Sequence, residues 1–288
     1  MPPEDAALCR HVGAPSEAQI DRVEKVVREI GNDVQFLEGK GLLPDEFAAA
    51  LPLVIEKMRG SASASTSDRK AFVDRILEFL RTSGKIASFD RPDYGDDTVY
   101  RVHLNDGRNV AIIQKGCPDG AHGSVRWTRP DWAIEAYLWW LCDGLAHEPG
   151  EHVAKGVNRL RSRFFDTGYD DAVDGVIFHN QLCGTPDRPC PKMSRAASIE
   201  GIRVPPPCVW VMPAREGLDD HARTEWNWDG SRKRVFPSVL LSAFGIADHE
   251  VPMFVGDIGF QKAPRGIRNR ITSRAGPALV TQYKGNAR

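Results

Sequence analysis

No stretch of this sequence approaches the ~18 uninterrupted apolar residues that a membrane-spanning helix requires. The opening MPPEDAALCR lacks both the basic n-region and the apolar h-region of a secretion signal, so the expected compartment is the cytoplasm. The six cysteines, Cys9, Cys117, Cys142, Cys183, Cys190 and Cys208, are scattered, and no two have the tight C-x₂₋₄-C spacing of a zinc knuckle. Together with the missing secretion signal, that scatter argues against a disulfide framework. Missing as well are a GxGxxG, a P-loop and a GxSxG motif, which leaves a small-molecule enzyme of a familiar kind without positive support. No internal repeat is visible.

What is present is a globular balance: 288 residues, 41% apolar and 27% charged, enough for a sizeable core. The formal net charge of −1 argues by itself against a polyanionic partner, because phosphate neutralisation needs Lys and Arg. The distribution says more than the sum. From Gln261 to Arg288 the charged residues are Lys262, Arg265, Arg268, Arg270, Arg274, Lys284 and Arg288, with no acid among them. Arg232, Lys233 and Arg234 form a second basic cluster after the aromatic TEWNWDG, and Arg159, Arg161 and Arg163 form a third. Basic clusters gathered toward the C-terminal half favour a polyanion, and Trp226 and Trp228 beside them read either as a nucleic-acid contact or as an ordinary exposed turn.

Helical spacing of Ile20, Val23, Val26 and Val27, and of Phe47, Leu51, Val54, Ile55 and Met58, predicts two N-terminal helices, over 17–28 and 44–58. The small, polar GSASASTS of residues 60–67 reads as a linker or exposed loop. Ser67 is then a plausible N-cap for a third helix, with Phe72, Val73, Ile76, Leu77, Phe79 and Leu80 as its buried stripe and Gly84 as its stop. A β-hairpin follows: residues 98–104 alternate, Asn105-Asp106-Gly107 is a strong turn, and a β-branched run from Asn109 ends at Lys115-Gly116. A strand around 86–89 precedes it. Pro130 in a first turn predicts a buried helix through AIEAYLWWLCDGLA, and residues 172–179 and 208–212 read as further strands.

The order helix, three strands, helix, strand, together with the literal Pro92-Asp93 in RPDYGDD and the lysine in VAIIQKG, resembles the αβββαβ core of the PD-(D/E)XK nuclease superfamily, which includes most type II restriction endonucleases. The resemblance covers about residues 68–180. It implies a mixed α/β fold, a central mixed sheet with flanking helices, divided into an N-terminal helical region and linker (1–66), a nuclease core (67–183) and a DNA-recognition and basic region (184–288). It also implies Mg²⁺ as cofactor, double-stranded DNA as substrate, a homodimer matched to a palindromic site, and a cognate DNA methyltransferase encoded nearby. Asp97, with Asp96, would hold metal and Lys115 would orient the nucleophile. A hard cation needs oxygen ligands, and the family's acid two residues before the lysine is here Ile113, with Gln114 adjacent. The missing carboxylate is therefore sought on neighbouring helices: Glu135 first, then Asp131 or Glu78. DNA contacts are expected from Arg232, Lys233, Arg234, Lys262, Arg265, Arg268 and Arg270.

Two other expectations stand beside this one. A DNA-binding protein without catalysis would use the same basic tail. His179, Cys183, Cys190 and Cys208 offer zinc ligand types, against the plain alternative of a loop packed on the core.

Overall fold

The computed structural model describes residues 34–49, 66–92, 99–116, 127–141, 149–166, 172–179, 190–230 and 234–284. The helices are α1 (Val34–Gly39), α2 (Thr66–Thr82), α3 (Pro149–Phe165), α4 (Val235–Ser242) and the single turn α5 (Val251–Phe254). The strands are β1 (Ser88–Asp90), β2 (Val99–His103), β3 (Asn109–Gly116), β4 (Glu135–Leu141), β5 (Gly175–Phe178), β6 (Ala197–Ile199), β7 (Ile202–Val204), β8 (Cys208–Val211), β9 (Glu225–Trp226), β10 (Val255–Ala263), β11 (Gly266–Ala275) and β12 (Ala278–Lys284).

Ten strands pair into one mixed sheet in the order β1-β2-β3-β4-β5-β8-β10-β11-β12, with β9 on β10; β6 and β7 pair separately. The hairpin is where the alternation placed it, with Val99 opposite Ile113 and His103 opposite Asn109. Its turn ends at Gly107, whose φ of 83° is a left-handed conformation that glycine adopts without strain. Strands β3, β4 and β5 then run parallel, β8 is antiparallel to β5, and β10 is parallel to β8.

Both faces of the sheet are covered. Val110 and Ile112 of β3 and Tyr137, Trp139 and Leu141 of β4 pack with Phe72, Ile76 and Leu80 of α2 and with Phe236 and Leu240 of α4. Their neighbours Ala111, Ile113, Ala136, Leu138 and Trp140 point the other way, onto Val153, Val157, Leu160 and Phe164 of α3. The period-2 alternation of a strand thus feeds two cores, called here the α2 face and the α3 face. Gly156 brings α3 close: a Cβ there would sit 2.5 Å from the Trp140 ring.

The third helix formed over Thr66–Thr82 as expected, and residues 44–49 are helical. The helix expected over 17–28, and the remainder of the one over 44–58, lie outside the described residues. The helix expected from Pro130 did not form. Pro130 opens a turn closed by the Ala133 N–H to Pro130 O bond, and EAYLWWL is strand β4, buried at every position. A parallel strand covered on both faces is apolar at every residue, which removes the alternation that would mark it as a strand. The observed order from α2 onward is therefore α-β-β-β-β-α-β, with a strand where a helix was expected. The mixed α/β class holds, and a single sheet runs from β1 in the expected core to β12 in the C-terminal region.

Candidate active site

Open parallel sheets present ligand sites beyond the carboxyl ends of their strands, where loops replace backbone pairing. Here that edge is formed by the ends of β3, β4 and β5. Lys115 stands opposite Trp140, Trp140 opposite Phe178, and Phe178 opposite Cys208, so one transverse row crosses four strands. Lys115 is half-buried and shares the α3 face with Ile113, two residues before it. Val99, which opens β2, is opposite Ile113 and packs on that same face. The entrance of β2 and the end of β3 thus share an edge. Asp96 and Asp97 precede Val99 by three and two residues and lie outside the described residues.

His179 follows β5 at this edge, two strand spacings or about 10 Å from the β3 terminus. It is 1% exposed, its ring lies 5.5 Å from that of Phe72, and among the described residues neither ring nitrogen has a hydrogen-bond partner. Burial, then the nearby Lys192 ammonium, push the imidazole down to about 3, so it is neutral. Lys192 is itself 2% exposed. Its ammonium reaches the backbone oxygens of Phe254 (3.4 Å) and Pro207 (3.5 Å).

The other expected site residues separate from this edge. Glu135 begins β4 opposite Val110, five residues before the position that faces Lys115, or about 17 Å along the strand. It lies at the far end of the sheet, so the expectation that it completes a metal shell with Lys115 is corrected. Its carboxylate accepts hydrogen bonds from the Val235 N–H (2.8 Å), the Phe236 N–H (3.0 Å) and the Tyr137 hydroxyl (2.9 Å). It is a cap for α4, supplied by another strand. Asp131 is exposed in the turn after Pro130. Glu78 is half-exposed on α2 and paired with Arg81, whose guanidinium holds its carboxyl below the usual range. It stands six residues, about 9 Å of helix, beyond Phe72 toward the far end of the sheet. Gln114 is buried on the α2 face, opposite to the face of Lys115. The acid of α2 that does approach the sheet is Asp74, which accepts from Arg91 (3.0 Å) and adds to the burial that pushes the Tyr100 phenol up. Only the fold marks Asp74, since its sequence neighbourhood is an ordinary helical stripe.

The basic clusters divide likewise. Arg234 is almost wholly buried and hydrogen-bonds Asp174, which also accepts from Arg129 (2.9 Å) and from the Ala136 N–H (2.8 Å). A guanidinium committed in this way cannot grip DNA, and Arg234 is corrected to a structural role. Arg232 and Lys233 lie outside the described residues. Arg161 and Arg163 donate to the backbone oxygens of Ile267 (2.9 Å) and Trp127 (2.7 Å), fastening α3 to the sheet rather than facing a polyanion. Trp226 is fully buried on the α3 face and Trp228 packs against the α2-face core, so Trp226 does not face a partner. Lys262, Arg265 and Arg268 are exposed at the β10–β11 hairpin, and Arg270 is partly exposed beside them.

Zinc is not favoured. Cys190 and Cys208 pack in the α3-face core while His179 contacts Phe72 of the α2-face core, and Cys183 lies outside the described residues. Among the described residues no three His, Cys, Asp or Glu side chains gather as a metal set. No described helix is long and apolar enough to cross a membrane. Comparisons with protein-family models, with curated proteins and with solved structures gave no significant match.

Proposed function

We propose that this chain is a divalent-metal-dependent endonuclease that cuts a specific site in double-stranded DNA, with Lys115 as its catalytic cation. The observation that supports this reading is the β2–β3 register: with Val99 opposite Ile113, the strand that follows Asp96-Asp97 and the strand that ends in Lys115 open onto one edge. Two acids in the segment that leads into β2 and a lysine that closes β3 would suit phosphodiester hydrolysis, in which negative charge grows on the phosphate oxygens as water attacks. Helix α2 before the hairpin and the parallel pairing after it are in keeping with the nuclease-like order, although β4 stands where that order has a helix.

With Glu135 committed to a helix cap, and no carboxylate trio among the described residues, the ion's ligands in this reading are Asp96 and Asp97. A Mg²⁺ ion held there would screen the phosphate and polarise the attacking water. Lys115 would hold a scissile-phosphate oxygen or steady the nucleophile from the same edge. A homodimer acting on a palindromic site, with a partner methyltransferase protecting the host, completes the restriction-enzyme form of the proposal.

The test is incubation of the purified chain with mixed-sequence duplex DNA in Mg²⁺ and in EDTA, resolved on a gel. Discrete fragments in Mg²⁺ alone support a site-specific nuclease. Retarded but intact DNA in both lanes supports the second reading, a DNA-binding protein without cleavage, which the exposed arginines of β11 favour.

A further inference from the structure

We infer that one face of the β10–β11 ribbon, carrying Arg268, Arg270 and Arg274, is a docking surface for the backbone of duplex DNA. The inference rests on the DNA reading above, but not on its chemistry. The two strands pair from Asp257 opposite Thr272 to Ala263 opposite Gly266. Alternation divides β11 into two sides. Ile267 and Ile271 join the α3-face core, Asn269 bonds Asn158 of α3 (3.1 Å), and Ser273 accepts from the Trp210 indole (3.2 Å). Arg268, Arg270, Thr272 and Arg274 point to the opposite side.

Arg268 is exposed there, Arg270 and Arg274 are partly exposed, and only Thr272 between them is buried. Alternate residues of an antiparallel strand repeat every ~6.8 Å. Successive phosphates of one DNA strand rise ~3.4 Å along the axis but also turn around it, which sets them about 7 Å apart in space, so the repeat of β11 matches neighbouring phosphates. The segment from Gln261 to Arg288 contains no acid, and although the exposed Glu225 lies beside it, bonded to Gln261 (2.7 Å), the three arginines leave this side net positive among the described residues.

Arg270 is held for this role. It donates to the Asn227 side-chain oxygen at 2.8 Å and lies 3.7 Å from a carboxylate oxygen of Asp257. Asp257 is 5% exposed, and burial pushes its carboxyl up against the opposing pull of Arg270 and Arg274. Asn227 can lie where it does only because residue 259 is glycine: a Cβ there would meet its oxygen at 2.3 Å. These groups aim the guanidinium without closing it off, because 39% of the Arg270 side chain stays exposed.

Lys262, grouped by sequence with these arginines as a DNA contact, lies off their face and supplies the control. It sits at the same hairpin tip but on the other side, 5.2 Å over the Trp226 ring. Binding of a fluorescein-labelled duplex should be measured by anisotropy in EDTA across a salt series, so that loss of cleavage cannot be mistaken for loss of binding. Each of Arg268→Gln, Arg270→Gln and Arg274→Gln should weaken binding roughly eightfold at 0.1 M salt and make the log–log salt slope shallower by about 0.9. Lys262→Gln should leave both nearly unchanged. The exposed Arg268→Gln carries the test alone if the partly buried Arg270→Gln and Arg274→Gln variants melt early. Equal effects from Lys262→Gln and Arg268→Gln, an unchanged slope in all three arginine variants, or tighter binding to single-stranded RNA or to anionic phosphatidylserine vesicles than to the duplex would overturn the inference. Absence of cleavage with this pattern intact would refute the nuclease reading alone.

Discussion

The carboxylate of Glu135 accepts the backbone N–H of Phe236 at 3.0 Å, although 101 residues separate the two in sequence. A side chain from the first residue of β4 thereby caps the first turn of α4, satisfying donors that a helix start leaves unpaired and setting a negative charge where the helix dipole favours one. The same carboxylate takes the Tyr137 hydroxyl, and burial, then Glu135 and Asp174, push that phenol well up.

Glu135→Ala should therefore destabilise the fold by about 3 kcal/mol, since charge-assisted bonds of this kind contribute roughly 1.5–3 kcal/mol each and are not additive. Denaturant titration measures it. Glu135→Gln, which keeps one acceptor, should recover part of the loss and should leave Mg²⁺ dependence of any cleavage unaltered. A change in metal requirement without a change in stability would return Glu135 to the metal shell.

Asp174 anchors the same end of the sheet between Arg129 and Arg234. Asp174→Asn leaves two guanidinia without their counter-charge, one of them almost wholly buried, and should cost about 3 kcal/mol by denaturant midpoint. Arg234→Lys should lower the melting temperature while leaving duplex affinity within about twofold, because a side chain held by Asp174 does not reach DNA. A large affinity loss at unchanged stability would contradict that assignment.

The hairpin was legible because its signals are local: alternation, an Asn-Asp-Gly turn and a β-branched run all point one way. β4 was not, because burial on both faces erased its period and the Pro130 turn imitated a helix start. The helix stripe of α2 gave its position to within two residues, and α3 carries a comparable stripe in Val153, Val157, Leu160 and Phe164 that went unused once the helix was placed on the segment before it, whereas the β10–β12 meander, whose polar and apolar positions are mixed by partial exposure, left no clear periodic mark. For the site, Lys115 and its edge follow from strand order alone. The commitment of Glu135 and Arg234 to distant partners depends on pairings across some 100 and 60 residues, which no local pattern encodes.

His179 gives a pH signature. Its folded value near 3 lies below the unfolded value of about 6.5, so between these limits the unfolded chain binds the extra proton and stability is lost as pH falls. From pH 7 to 5 that loss is about 2 kcal/mol. His179→Leu should flatten the dependence by that amount in urea titrations. An equally steep decline in the variant would mean that other groups carry it.

The central claim is that Lys115 performs chemistry at the edge shared by β2 and β3. The direct measurement is cleavage of plasmid or mixed duplex DNA by Lys115→Ala in Mg²⁺, alongside its anisotropy-measured duplex affinity in EDTA. Cleavage should fall at least a hundredfold while affinity stays within about threefold, because the developing phosphate charge loses its cation but the β11 arginines are untouched. Wild-type cutting by Lys115→Ala would contradict the claim.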